Sequence, residues 1–142
     1  VARRFGVSPK VAMLSFSNFG TSNELRTDRI EEAIAMAREL DRGLVIDGPM
    51  QADTALVPDR QSEFPFMEFD GPANVLVCPN LASANIAYKL LQRIAGAEMT
   101  GPILEGLAKP AHVLQRGDSV RQVVHMAAIT AVDAQRHARQ RL

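Results

Sequence analysis

Short apolar runs and longer periodic stretches alternate along this chain. Residues 11 to 16 (VAMLSF), 43 to 47 (GLVID) and 74 to 78 (NVLVC) are continuous hydrophobic runs, each ended by Asn, Gly or Pro. Continuous rather than alternating hydrophobicity over so few residues predicts buried strands. Between the first two, Leu25, Ile30, Ile34, Ala37 and Leu40 recur at helical spacing among Arg, Asp and Glu, so residues 24 to 41 are expected to form an amphipathic helix. Ala84, Ala87, Tyr88, Leu91 and Ile94 repeat the pattern ahead of Gly96, a helix terminator. The last helix opens on a capping box, Ser119 with Gln122, and continues as a stripe of Val120, Val123, Val124, Ala127, Ala131 and Val132. Arg136, His137, Arg139 and Arg141 gather near its end, where cations suit the helix dipole. Gln51 to Pro72 lacks periodicity and holds three prolines, which suggests a short helix and a long surface loop. Strands alternating with helices imply an α/β fold, an open and mainly parallel sheet flanked by helices. Residues 1 to 10, VARRFGVSPK, read as a linker into residues 11 to 142, and the chain is expected to be part of a longer protein.

Composition narrows the possible partners. With 142 residues, 46% of them apolar, the chain has enough apolar material for a core, and 16 basic residues balance 16 acidic ones. A net charge of zero offers no whole-chain attraction to nucleic acid or to an anionic membrane, so neither is expected as a partner. Cys78 is the only cysteine, which rules out an internal disulfide and suits a reducing cytoplasm. No Cys and His cluster has metal-ligand spacing, and no apolar run approaches the roughly 18 residues of a spanning helix.

In open α/β sheets, ligands bind beyond the carboxyl ends of the strands. Four segments therefore hold the candidate chemistry. SFSNFGTSN (15 to 23) is rich in hydroxyls and amides and could cradle an anion or simply cap a helix. DGPMQAD (47 to 53) carries two carboxylates, suited either to proton transfer or to a turn. PNLASAN (79 to 85) places Asn80 where it caps a helix or points its amide at a ligand. GPILEGLAKPAHVLQRGDS (101 to 119) sets Arg116 just ahead of a helix N-terminus, a combination that favours phosphate or carboxylate. His112, His125 and His137 are read as structural or exposed, and Cys78 as core.

Jointly, PKVAMLSFS, LVIDGPMQADTAL, NVLVCPNLASANIAYKLLQRIAG and GPILEGLAKPAHVLQRG resemble the phosphate acetyl/butyryl transferase family from about Pro9 to Ala134. The resemblance implies a phosphate-acetyltransferase-like fold, related to that of isocitrate and isopropylmalate dehydrogenases, with an acyl-CoA site between two subdomains. This chain would supply the C-terminal part. Active members have a Ser-Arg-Gly motif and an Asp six residues after the Arg; here the corresponding residues are Gln115, Arg116, Gly117 and Gln122. Glutamine supplies neither the hydroxyl nor the carboxylate base thought to assist the attacking thiol. SNFG (17 to 20), NLASANIAYKLL (80 to 91) and AKPAHVL (108 to 114) resemble the transferase-like C-terminal domain of bacterial hybrid malic enzymes.

That branch implies a non-catalytic domain that binds acetyl-CoA as an effector and mediates homo-oligomerisation as a dimer or larger assembly. It would be joined to upstream malic enzyme domains that hold NADP and Mg or Mn, with no cofactor of its own. The alternative is the C-terminal half of an active phosphate acetyltransferase. The residues expected to bind acyl-CoA or phosphate are Ser17, Asn18, Asn80, Asn85, Lys109, Gln115, Arg116 and Gly117.

Overall fold

In the computed structural model, which describes residues 1–20 and 25–139, three parallel strands form a sheet in the order β2-β1-β3. They are β1 (Lys10–Leu14), β2 (Val45–Met50) and β3 (Val75–Val77). Among the described residues five helices accompany them: α1 (Leu25–Leu40), α2 (Ala52–Leu56), α3 (Pro58–Gln61), α4 (Leu81–Ile94) and α5 (Val120–Arg139), preceded by a 3₁₀ turn at Ala2–Phe5. The chain divides into two compact units, Val1–Tyr88 and Lys89–Leu142. The expected start of the first helix at residue 24, the loop residues Thr21, Ser22 and Asn23, and the terminal Arg141 lie outside the described residues.

In the first unit, β1 is central and is covered on both faces. Val11 packs with Ile34 of α1 and Ile46 of β2, joined by Met13, Ile30, Ala37, Leu44 and Val75. Ala12 packs in the other cluster with Met50, Ala55, Phe69 and Ala73, joined by Leu14, Phe19 and Met67. Successive residues of a strand point to opposite faces, so a strand buried on both sides must be apolar throughout. That is why VAML carries no polar alternation.

β2 extends three residues past its expected end at Asp47. Ala12 pairs with Asp47 and Leu14 with Met50, so β2 spends three steps where β1 spends two. This bulge absorbs Gly48 and Pro49. Proline has no N–H for a ladder and is tolerated at bulges and edges, and β2 is an edge strand. Gly-Pro is therefore part of the strand here, not a turn.

β3 also departs from expectation. Leu76 and Val77 are 39% and 37% exposed, and Cys78 is only partly buried, so this edge strand is not the fully covered core strand its composition suggested. The region from Gln51 to Pro72 holds two short helices rather than one, with Pro58 at the first position of α3, where its missing N–H costs nothing.

In the second unit, the face of α5 that packs inward is Gln122, Met126, Ile129, Thr130, Asp133 and His137, with Met126 fully buried. The expected apolar stripe lies on another side of the helix. Val120, Val124 and Val132 are 81%, 58% and 45% exposed. α4 buries none of its residues, and Leu81 and Ile94 are 84% and 80% exposed. Helical periodicity identifies an apolar face but not what covers it. Among the described residues no helix is long and apolar enough to cross a membrane.

Candidate functional site

The loop after β1 is built against the end of β2. Ser15 N–H donates to the Met50 carbonyl at 2.8 Å and Phe19 N–H to the Pro49 carbonyl at 2.7 Å. Asn18 Oδ1 accepts from the Gln51 N–H at 2.7 Å, and Gln51 Nε2 donates to the Phe16 carbonyl at 2.6 Å. Phe19 anchors the loop by packing on Phe64 and Phe66, with ring centroids 5.1 and 4.9 Å away. Asn18 is thus a loop-holding amide, and Ser17 beside it is buried. Gln51 and Phe19 did not stand out in the sequence, because their roles depend on strands 30 residues apart meeting.

The two carboxylates of DGPMQAD form neither a turn nor an acid pair. Asp47 is buried in β2; its Oδ1 accepts from the Gly48 N–H at 2.9 Å and its Oδ2 from the Glu68 N–H at 2.8 Å. Arg38 stands 3.9 Å from it while donating to the Ile46 carbonyl at 2.8 Å. Asp53 is exposed in the first turn of α2 and faces Arg60 Nε at 3.7 Å. Asp47 therefore binds the Glu68 segment to the sheet.

After β3, Asn80 caps α4, accepting from the Ser83 N–H at 2.9 Å while Ser83 Oγ donates to the Asn80 carbonyl at 2.9 Å. Asn85 is exposed on α4. The structure brings Asn18 to the end of β2, and it places Asn80 and Asn85 around the start of α4.

In the second unit, the segment from Gln115 to Ser119 forms a tight turn into α5. Gln115 N–H donates to Asp118 Oδ2 at 2.6 Å, and Asp118 N–H returns to the Gln115 carbonyl at 3.1 Å. Gln115 Oε1 accepts from Lys89 Nζ at 2.7 Å. Arg116 and Gly117 are exposed on this turn, and no described residue pairs with the Arg116 guanidinium. The expected capping box is present: Gln122 N–H donates to Ser119 Oγ at 3.3 Å, and Ser119 N–H to Gln122 Oε1 at 2.8 Å. Lys109 is exposed on the preceding loop.

A cavity of about 210 Å³ opens beside this cap, lined by Gln92, Glu98, Thr100, Ser119, Gln122 and His125 among others. Arg121 Nη1 pairs with Glu98 at its rim at 2.8 Å. Ser119, Gln122 and His125 follow one another at intervals of three along one face, a spacing visible in the sequence. His125 was read as structural or exposed; it is exposed and lines this cavity. The lining is polar and mostly uncharged, suited to holding a polar ligand by hydrogen bonds. Neither Gln115 nor Gln122 can take a proton from a thiol.

The sequence profile of one family, Phosphate acetyl/butaryl transferase, matches residues 1–131. An NADP-dependent malic enzyme of Salmonella typhimurium is 46% identical over 136 residues, which is 94% of this chain and 18% of that protein. A phosphate acetyltransferase of Acetivibrio thermocellus is 47% identical over 131 residues, covering 92% of this chain and 40% of that one. The crystal structure of a phosphotransacetylase from Streptococcus pyogenes superimposes with a TM-score of 0.88 at 40% identity, over 95% of this chain and 41% of that one. The chain thus spans about two fifths of the transferases and under a fifth of the malic enzymes it matches.

Proposed function

Because the chain belongs to the phosphate acetyl/butyryl transferase family, we propose that it is the regulatory, oligomerising acetyl-CoA-binding domain of a hybrid malic enzyme and does not itself transfer acetyl groups. The observation that carries this reading is the state of Gln115 and Gln122. At the positions where the resemblance puts the assisting Ser and Asp of active members, both are carboxamides engaged in structural hydrogen bonds, to Lys89 and within the α5 cap. Neither can act as a general base. Upstream domains of the parent would convert malate to pyruvate with NADP and Mg or Mn. The exposed apolar faces of α4 and α5 support self-association, with a two-fold dimer as the simplest closed assembly.

The test is acetyl phosphate formation from acetyl-CoA and phosphate by the full-length parent, beside an active transferase. No measurable turnover is expected; turnover comparable to the control refutes the reading. Arg116 would engage an anionic group of acetyl-CoA. A charge-assisted bond of this kind contributes about 1.5 to 3 kcal/mol, so Arg116→Ala should weaken binding about ten-fold to somewhat over a hundred-fold in calorimetry, with malate oxidation unchanged in the absence of effector.

The second reading, the C-terminal half of a working phosphate acetyltransferase, is favoured by the 47% identity to the Acetivibrio enzyme and by retention of Arg116. The same acetyl phosphate assay separates the two.

A further inference from the structure

A cavity of about 470 Å³ in the first unit, beside α3, takes no part in the reading above. That volume falls within the roughly 300 to 1,000 Å³ of small-molecule sites. Phe64 and Met67 belong to its apolar lining, and Gln61, Ser62, Glu68 and Asp70 are its polar side chains. Those four share one property: they accept hydrogen bonds and donate none into the cavity. Gln61 is 8% exposed, and its Nε2 donates to the Ala55 and Gly71 carbonyls at 3.3 and 3.1 Å. Its Oε1 is buried and has no partner among the described residues. Ser62 Oγ donates its hydrogen to the Asp59 carbonyl at 2.7 Å. Glu68 and Asp70 are exposed carboxylates; Arg38 stands 3.5 Å from the first, and Lys10 donates to the backbone carbonyl of the second. The backbone N–H groups of Gln61, Ser62, Phe64, Met67 and Glu68 are bonded elsewhere, to carbonyls and to Asp47. No Lys, Arg or His lines the space.

We propose that this cavity binds a small organic cation, an ammonium, amidinium or guanidinium group carried on a hydrophobic body. An occupant must bring the donors, because the side chains around it offer only acceptors. A positive charge suits the Glu68 and Asp70 carboxylates, and the Phe64 ring, held by Phe19 at a centroid distance of 5.1 Å, offers apolar contact and attraction for a cation. A buried acceptor without a donor is unfavourable, so a ligand N–H that reaches Gln61 Oε1 removes that cost. Oε1 is recessed, and binding therefore requires the lining to yield. Met67, half-buried and unbranched, is its most adaptable member. The carboxylates disfavour anions, so the inference does not depend on acetyl-CoA binding.

The experiment is an NMR titration of the full-length parent with isotope-labelled methionine methyl groups, the Met67 signal being identified by its loss in Met67→Leu. Benzylamine, an ammonium at neutral pH, is the probe; benzyl alcohol and phenylacetate are its neutral and anionic counterparts of similar shape. Benzylamine should shift the Met67 signal saturably at about millimolar concentration. Benzyl alcohol should bind about ten-fold more weakly, and phenylacetate more weakly still. Asp70→Asn, a change at an exposed carboxylate, should weaken benzylamine binding about two- to five-fold. Gln61→Met removes the buried acceptor and should weaken it about ten-fold. The absence of a saturable Met67 shift with benzylamine overturns the site. Equal affinity for benzyl alcohol or phenylacetate overturns the assignment of a cation, as does unchanged benzylamine affinity in Asp70→Asn or in a folded Gln61→Met. The three probes and Asp70→Asn decide the question even if Gln61→Met does not fold.

Discussion

Gly48→Ala is the sharpest test of how this fold is built. Gly48 occupies the β2 bulge at φ +138°, and a Cβ there would stand 2.6 Å from the Met13 carbonyl oxygen and 3.0 Å from Met13 Cβ. Two costs combine. A non-glycine residue in that backbone region costs about 1 to 3 kcal/mol, and forcing a methyl group into closed packing costs about 1 to 3 kcal/mol more. The obstructing atom belongs to the backbone of the central strand, so no side-chain rotation relieves the overlap. A loss of about 2 to 6 kcal/mol is expected, a large share of the roughly 5 to 15 kcal/mol that holds a typical domain together. The chain has no Trp, so urea unfolding is best followed by far-ultraviolet circular dichroism. With a denaturant slope of about 2 kcal/mol per molar, the midpoint should fall by about 1 to 3 M. Gly96→Ala is the control. Gly96 has φ +62° with nothing within 4 Å of its missing Cβ, so only the left-handed conformation is penalised, by about 1 kcal/mol. If Gly48→Ala loses no more than Gly96→Ala, the close approach of β1 is not what requires glycine.

Asp47→Asn leaves one of two backbone N–H groups facing an amide donor, and should cost about 1 to 3 kcal/mol in the same unfolding experiment, with no effect on the α5 region. Ser119→Ala removes the capping hydroxyl of α5 and should cost about 1 kcal/mol, seen as a lower melting temperature. The hydrogen bond from Arg3, reinforced by the Gly43 N–H and the Arg3 charge and only partly opposed by desolvation, holds the Asp41 carboxyl below its ordinary value. Its stabilising contribution is therefore present above the unfolded-state value and disappears as pH falls through the lowered folded-state value. An NMR titration should show this depression in the intact chain and a return toward the ordinary value in Arg3→Ala.

The candidate site was partly legible in advance. Asn80 and the Ser119 and Gln122 box are local devices, whose hydrogen bonds run over three residues, and such devices can be read from spacing alone. The bond from Gln51 to Asn18 joins residues 33 apart, and the Glu68 N–H reaches Asp47 across 21. Such pairs depend on which strands lie side by side. His112 shows the same limit: nothing near it in sequence indicates Asp133, 21 residues on, as its partner.

By itself, then, the amino-acid order determined the α/β class, the positions of the three long helices, the cap of α5 and the absence of whole-chain charge. Each follows from local period, local capping or simple composition. Only the tertiary structure decided that Gly48 and Pro49 belong to a strand, that Asp47 is a buried brace and not an acid, and which face of α5 turns inward. The physical reason is that an apolar stripe records a preference for leaving water without naming the surface that receives it. That surface is chosen by non-local packing and by partly buried polar groups, such as Asp133 and Gln122, that find partners on the same side.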